Sequence, residues 1–316
     1  MFRFAILGAG KIAVRFAEAV RLAGCEVAAV ASRSMERAQA FADKNGIAHA
    51  YGSYEALLQS ENIDCAYIAT VPSSHFELSM LCMKYKVPAL CEKAMFRNLD
   101  EAQTAFDRSR EQNTFLMEGL WSKFLPANKK AREWLESGRI GKPVFCDVSI
   151  GFRAPDDDEN RYFNPQLGGG AALDITVYAY EITVFMLGIR PDITDVQVVR
   201  YHTGVDASEL VTMRAGDCLC TLRTSFVSNL NEELCINGEK GKIGIPHPHY
   251  ASEAFLYDEN GKLAEHYIDK GPQNGFIYEI QEVVNCVSSG RIESDIQSHE
   301  DTIECARLLD MIHDKL

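Results

Sequence analysis

A chain of 316 residues, 47% hydrophobic and 24% charged, has the composition of a folded globular protein and the length of about two domains of ~150 residues. Its net charge of −13 has the wrong sign for tracking a phosphate backbone, so nucleic acid is not an expected partner. The ten cysteines form no C-x-x-C pair, and Cys65, Cys82, Cys91, Cys235 and Cys286 sit in apolar runs, which predicts reduced thiols in a cytoplasmic protein. The apolar stretch from Phe4 to Gly10 is cut at once by Lys11 and Arg15. It reads as neither a secretory signal nor a span, no other run reaches the ~18–20 residues a span needs, and no membrane partner is expected.

The first third alternates short strands with helices. Residues 2–7 are an apolar run ending in Gly8, and 11–22 carry Ile12, Phe16, Ala19 and Val20 at helical spacing before Gly24. Residues 26–31 form a second strand, and Ser34 caps a helix that ends at Asn45-Gly46. A helix at 53–59, a strand at 65–69, a helix at 73–85 and a strand at 87–91 continue the alternation. A helix opened by Asn98 or Asp100 and a strand at 114–117 complete it. This order predicts βαβ units and a doubly wound parallel α/β sheet.

After residue 121 the period changes. A helix at 126–135, a long strand at 143–151 and a helix at 172–187 are followed by strand-like runs at 193–201, 210–214, 218–226, 233–236, 242–245 and 255–257. Helices at 276–287 and 299–312 close the chain. Strands in succession with helices around them predict an α+β domain on a large, mostly antiparallel sheet. The expected division is a nucleotide-binding domain at 1–121 and a substrate-binding domain at 122–316.

Gly8-Ala9-Gly10-Lys11-Ile12-Ala13 is G-x-G-x-x-A between a predicted strand and a predicted helix. Gly8 would allow the tight turn, Gly10 the approach of a pyrophosphate, and Ala13 close helix–strand packing. The helix start at Lys11 and Ile12 would supply free N–H groups. At the end of the second strand, where an NAD enzyme carries Asp or Glu, this chain has Ser32-Arg33, with Arg37 in the next helical turn. A hydroxyl and two guanidiniums suit a 2′-phosphate, so the expected cofactor is NADP(H).

Glu92-Lys93 stands at a strand's carboxyl end, where doubly wound folds bind ligands. Gly168-Gly169-Gly170 opens a helix on which Asp174 and Tyr178, four apart, share a face. A lysine, an acid and a phenol are suited to the proton that accompanies hydride transfer.

Taken together, the Gly8–Ala13 fingerprint, Thr70-Val71-Pro72 with His75, Glu92-Lys93, the glycine run and Asp174 with Tyr178 resemble the glucose–fructose oxidoreductase/inositol dehydrogenase (Gfo/Idh/MocA) family. The resemblance spans essentially the whole chain. Met117-Glu118-Gly119-Leu120-Trp121 and Gly151-Phe152-Arg153 look most like its dihydrodiol dehydrogenase and D-xylose dehydrogenase branch. The resemblance implies a Rossmann domain followed by an α+β domain whose open sheet serves for dimerisation. It also implies NAD(P)-linked chemistry on sugars, diols or related carbonyls. By position it makes Lys93 the active-site lysine, puts Tyr178 in the place of a catalytic His or Tyr, and has Asp174 orient the substrate hydroxyl. It sets Thr70, Pro72, His75, Glu92 and Lys93 at the cofactor, and Trp121, Arg153 and Phe276 at a pocket lying between the domains.

Two positions depart from the family pattern. Ala94 replaces the proline of E-K-P, so a trans Lys93–Ala94 bond is expected. Thr176 stands where glycine is common and would crowd the nicotinamide side. Other signals read as structural. His247-Pro248-His249 lacks the carboxylates or thiols of a metal site, Cys218 and Cys220 share a strand face in the core, and the acidic run at 156–159 is a solvated loop. No metal is expected.

The leading expectation is an NADP-dependent oxidoreductase acting on a small non-phosphorylated hydroxyl/carbonyl substrate, assembled as a homodimer. The alternative is a non-catalytic NADP-binding regulator of the same fold, and a lyase- or epimerase-type reaction using the cofactor transiently also fits the residues. Lys93, Asp174 and Tyr178 together favour an enzyme, since a sensor has no need of all three.

Overall fold

Phe4, Ala5, Ile6 and Leu7 have no exposed surface, so the strand they form, β1 (Arg3–Leu7), can only be central, covered on both faces. A computed structural model describes residues 1–272 and 274–316 of the chain. It divides them into two units, Met1–Trp121 with Pro272–Ile303, and Ser122–Gly271 with Glu304–Leu316.

In the first unit β1 is joined by β2 (Glu26–Ala31), β3 (His49–Tyr51), β4 (Cys65–Ile68), β5 (Ala89–Glu92) and β6 (Leu116–Gly119). All pair in parallel, in the order β3-β2-β1-β4-β5-β6. The order reverses between β1 and β4, which is where such sheets open a ligand crevice at their carboxyl ends. The connecting helices are α1 (Lys11–Leu22), α2 (Met35–Asn45), α3 (Tyr54–Ser60), α4 (His75–Lys84) and α5 (Leu99–Gln112). Side chains fix their starts: Ser34 accepts from the Arg37 amide and Asn98 from the Glu101 amide, while Gly46 closes α2 in the left-handed conformation. The strand β3 has no counterpart in the sequence reading. Three half-exposed residues on a sheet edge carry neither an apolar run nor an alternation.

Residues 272–303 correct the expected division. Their helix, α8 (Phe276–Ser288), belongs to the first unit and lies against α1. Phe276 meets Phe16 edge-on at 6.4 Å, and Asn274 donates from Nδ2 to the Arg15 carbonyl at 2.9 Å. Amphipathic spacing announces such a helix but not which sheet it covers.

The second unit holds α6 (Pro126–Glu136), β7 (Pro143–Gly151), α7 (Val177–Leu187), β8 (Asp192–Arg200), β9 (Asp206–Ala215), β10 (Cys218–Ser225), β11 (Glu233–Gly238), β12 (Gly241–Pro246), β13 (Glu253–Asp258) and β14 (Leu263–Ile268). The sheet runs β14-β13-β12-β11-β7-β10-β9-β8. It is antiparallel except where β10 lies parallel to β7. The edge strand β14 is largely exposed and was also missed. α6 and α7 cover one face, over Cys146, Val148, Ile150, Cys220 and Leu222. On the other face Phe145 and Leu219, opposite each other in register, are 45% and 47% exposed. α9 (His299–His313) ends the chain.

The stretch Pro165–Leu187 is long and apolar enough to cross a bilayer, contrary to the sequence reading, which the glycines and Asp174 interrupted. In the fold it is a 3₁₀ turn, a glycine bend, a π turn and α7, and most of it is packed inside the protein. α7 is apolar all round because it is a core helix. Its one charge in the middle, Glu181, lies 2.6 Å from Lys123 Nζ, and neither side chain has exposed surface. Removing one partner of such a pair strands the other. Lys123→Met should therefore lower unfolding stability in urea by about 3–5 kcal/mol, and adding Glu181→Met should recover most of the loss. A single variant as stable as the native protein would contradict this.

Candidate active site

Gly8 has φ +118°, and a Cβ there would lie 2.8 Å from the Ala69 carbonyl oxygen. Only glycine lets the β1–α1 loop lie against the end of β4. Gly10 precedes α1 in extended conformation with no side-chain cap, and the first turn holds no acid. The first N–H groups of α1, at Lys11, Ile12 and buried Ala13, are therefore open to an anion. Thr70 faces Gly8 with its Cγ2 methyl, and its Oγ1 is buried and has no hydrogen-bond partner among the described residues. Pro72 opens the 3₁₀ turn that follows. An uncapped helix start, a loop with no room for a Cβ and an orphaned hydroxyl fit the pyrophosphate of a dinucleotide.

At the end of β2, buried Ser32 donates its N–H to the Tyr51 carbonyl at 3.1 Å, and Arg33 and Arg37 are exposed. Tyr54, the first residue of α3, joins them. Burial pushes its phenol up, and the charges of Arg33 and Arg37 pull it partly back. Glu36, the one acid in that turn, is held by the Ser34 hydroxyl at 2.6 Å, which lowers its carboxyl. Tyr54 was not foreseen, because it comes from a different helix than the two arginines.

β5 ends at Glu92, and the next peptide bond, Lys93–Ala94, is cis. The expected trans bond is thus corrected. The peptide that follows the cis bond, Ala94–Met95, is held by buried groups at both its polar atoms: the Ala94 carbonyl faces His75 Nδ1 at 2.8 Å, and the Met95 N–H donates to Glu118 Oε1 at 2.9 Å. His75 has no exposed surface, and its Nε2 faces the Thr70 carbonyl at 3.1 Å. Burial holds this imidazole down to about 4, so at neutral pH it carries one proton, which we assign to the shorter contact with Ala94. His75 therefore ties Thr70 to Ala94. Its ring is spent on backbone carbonyls.

Glu92 accepts a hydrogen bond from the Tyr67 hydroxyl, and Tyr67 is itself stacked on Phe16. A second carboxyl approaches from α8. Glu279 has no exposed surface, its Oε2 lies 3.7 Å from where a Gly119 Cβ would stand, and neither oxygen has a hydrogen-bond partner among the described residues. Burial first, and then the charge of Glu92, push its carboxyl well above the usual range, which favours the protonated form. Nothing in the sequence reading pointed to it, because α8 had been given to the other domain. At the start of α8 Phe276 is 2% exposed and stacks on half-buried Trp121 at 5.1 Å, with the Arg15 guanidinium 5.8 Å from each ring. Phe276 thus backs the indole.

In the second unit Asp174 lies in a π turn, Ala172–Thr176, and Tyr178 in the first turn of α7. The pair straddles the junction instead of sitting on one regular α-helical face. Asp174 Oδ2 accepts from Arg161 Nη2 at 3.2 Å. The Tyr178 ring lies 5.6 Å from that of His249, a neighbour not foreseen. His247, in left-handed conformation, pairs with Glu232 at 2.8 Å, and both imidazoles of that loop pack against the Tyr250 ring. Thr176 does not crowd a ligand. It is fully buried, and its hydroxyl lies 2.9 Å from Glu209 Oε2 and 2.6 Å from Thr224 Oγ1. Arg153, just after β7, is exposed, with its N–H bound to Asn229 Oδ1 at 2.9 Å.

A parallel sheet with an uncapped glycine-turn helix at its switch point defines the dinucleotide-binding class of α/β proteins. Comparison with known proteins narrows the class. Residues 2–120 match the model described as "Oxidoreductase family, NAD-binding Rossmann fold", and residues 128–244 match the GFO/IDH/MocA C-terminal domain. A trans-1,2-dihydrobenzene-1,2-diol dehydrogenase of Danio rerio is 32% identical over 98% of this chain and 95% of its own. A 3-ketoreductase from Actinomadura kijaniata, solved with NADP and TDP-benzene, superposes with a TM-score of 0.88 at 21% identity, covering 99% of this chain and 97% of that one. An oxidoreductase from Agrobacterium radiobacter, solved with NAD+, L-tartaric acid and magnesium, does so with a TM-score of 0.82 at 22% identity, covering 99% and 96%. The chain belongs to the Gfo/Idh/MocA family of NAD(P)-linked oxidoreductases.

The Glu279 carboxyl gives this unit a distinct pH signature. A carboxyl whose folded pKa is raised binds more protons folded than unfolded, so its contribution to stability falls as pH rises above about 4.3 and stays low once the folded pKa is passed. Glu279→Gln removes that loss. The stability of the variant relative to the native protein should increase from pH 5 to pH 8 in paired urea titrations, and a difference that stays flat or shrinks would show that Glu279 is ionised in the fold.

Proposed function

We propose that the protein is an NADP-dependent oxidoreductase that moves a hydride between the nicotinamide and a non-phosphorylated sugar, trans-diol or dicarbonyl. The observation that carries the cofactor choice is the convergence of Arg33, Arg37 and the Tyr54 phenol beside Ser32, where an acid would repel a 2′-phosphate. The dihydrodiol dehydrogenase relatives support a diol or its carbonyl counterpart as substrate.

The bound nicotinamide supplies the hydride acceptor or donor. Asp174 orients the reacting hydroxyl. The Tyr178 phenol takes the hydroxyl proton in oxidation and returns it in reduction. Lys93 shares with Tyr178 the handling of that proton. The outer face of Trp121, backed by Phe276, walls the substrate, and Arg153 hydrogen-bonds it. A single guanidinium suits a neutral polyol better than a phosphate, which would call for several bases. Lys93→Met and Tyr178→Phe should each lower kcat by about 10²–10⁴ while cofactor binding persists, and their combination should cost little more than the worse single change. Near-native turnover in Tyr178→Phe would refute this role.

Hydrogen bonds to charged groups contribute about 1.5–3 kcal/mol. Replacing Arg33 and Arg37 together should thus raise KM for NADP(H) by about ten- to a hundredfold and leave NAD(H) kinetics nearly unchanged. Equal use of both cofactors by the native protein, followed by absorbance at 340 nm, would sink the proposal.

The exposed face of the eight-stranded sheet supports a homodimer. Phe145 and Leu219 stand together there, and half-exposed Cys235 and Phe255 continue the face across β11 and β13. Light scattering at micromolar concentration should give twice the chain mass, and Phe145→Glu with Leu219→Glu should halve it.

A further inference from the structure

The turn that carries Asp174 is gripped at both ends by acids from β9. At its start Gly170 has φ +119°, and a Cβ there would overlap Asp206 Oδ1. Asp206 accepts the Ala172 N–H through Oδ2 at 2.6 Å, and its backbone carbonyl accepts from Ala171 at 3.2 Å. At the other end the Thr176 hydroxyl reaches Glu209 Oε2 at 2.9 Å, and the Thr224 hydroxyl meets the same oxygen. Residues three apart on a regular strand point to opposite faces. Here β9 bulges: Arg200 pairs with Asp206 and Val199 with Ser208. The extra residue, Ala207, turns Asp206 to the side of Glu209, which is what bulges do near functional sites.

Both acids are buried. Among the described residues Glu209 Oε1 has no hydrogen-bond partner, and the Asp206 carboxyl is its neighbouring acid. A protonated Glu209 avoids the repulsion that two ionised carboxylates would suffer. Burial, then Asp206, push the Glu209 carboxyl well above the usual range, while Asp206 is committed to accepting a backbone N–H. Asp206 is the charged neighbour on the same strand, and Thr176 from the turn and Thr224 from β10 face Glu209 with hydroxyls.

We infer that Asp206 and Glu209 are positioning residues that clamp both ends of the π turn and so set where Asp174 and Tyr178 stand. The inference rests on the proposed roles of Asp174 and Tyr178, but the clamp can be read without substrate. Three variants test it: Glu209→Leu removes the clamp, Thr176→Val removes one hydroxyl at nearly constant volume, and Glu209→Gln keeps a neutral hydrogen-bonding side chain. Hydrogen exchange of the amides at 171–178 should speed up about tenfold or more in Glu209→Leu and Thr176→Val and return to the native rate in Glu209→Gln. On the alkaline side Glu209→Gln should outlast the native protein in protection, since an amide has no such proton to lose. kcat should follow the same pattern, falling about tenfold or more with KM for NADP(H) within about twofold, because displaced catalytic groups cost turnover and not cofactor affinity. Unchanged exchange in both Glu209→Leu and Thr176→Val, or a Glu209→Gln as loose as Glu209→Leu, overturns the clamp. A native protein that turns over no hydroxyl or carbonyl substrate overturns the functional reading, and the exchange rates then decide the clamp by themselves.

Discussion

The approach of Gly8 to the Ala69 carbonyl organises the first unit. It brings the loop after β1 onto the end of β4 and leaves the start of α1 open. From there one chain of contacts runs across the carboxyl ends of the strands. Thr70 follows Ala69, His75 lies between the Thr70 and Ala94 carbonyls, and the Met95 N–H is held by Glu118. The peptide next to Lys93 is thus fixed by a histidine that also holds Thr70 in the loop beside Gly8. A side chain added at Gly8 would disturb the cradle and the lysine together.

Buried carboxyls do different work according to what surrounds them. Glu118 is served by the Met95 N–H, the Thr302 hydroxyl and the Gln297 amide, and so acts as an acceptor that ties three segments. Glu279 meets no donor among the described residues and has a second acid, Glu92, as neighbour. Glu209 combines the two situations, with hydroxyls on one oxygen and an acid among its neighbours. Each of the last two sits beside the segment that carries a proposed catalytic group, Lys93 or Asp174. Desolvation makes the neutral form the stable one, and a neutral carboxyl can donate where a carboxylate cannot.

Much of the architecture was legible because the central strands are buried on both faces and write themselves as apolar runs, as Phe4–Leu7 and Cys65–Ile68 do. The helix starts were legible because Ser34 and Asn98 bond locally. What escaped depends on contacts distant in sequence. Edge strands β3 and β14 take their pairing from a neighbour, not from their own pattern. α8 shows its apolar stripe but not its destination. The same holds for the site. The glycine turn, Ser32-Arg33, Lys93, Asp174 and Tyr178 were readable from type and spacing, whereas Tyr54, Glu279, His249, Asp206 and Glu209 matter only through what the fold sets beside them.

The two positions that depart from the family pattern follow one rule. Ala94 stands where proline is usual, and its carbonyl is engaged by a buried histidine nineteen residues earlier. Thr176 stands where glycine is common, and its hydroxyl is engaged by a glutamate and a threonine from two strands. A buried hydroxyl must find a partner, so the threonine and its acceptors form a unit, and a glycine at 176 would leave the Glu209 oxygen one donor short. A departure from a motif is then a pointer to compensating residues elsewhere in the chain. In this chain both pointers lead to groups within reach of the backbone that presents Lys93 and Asp174.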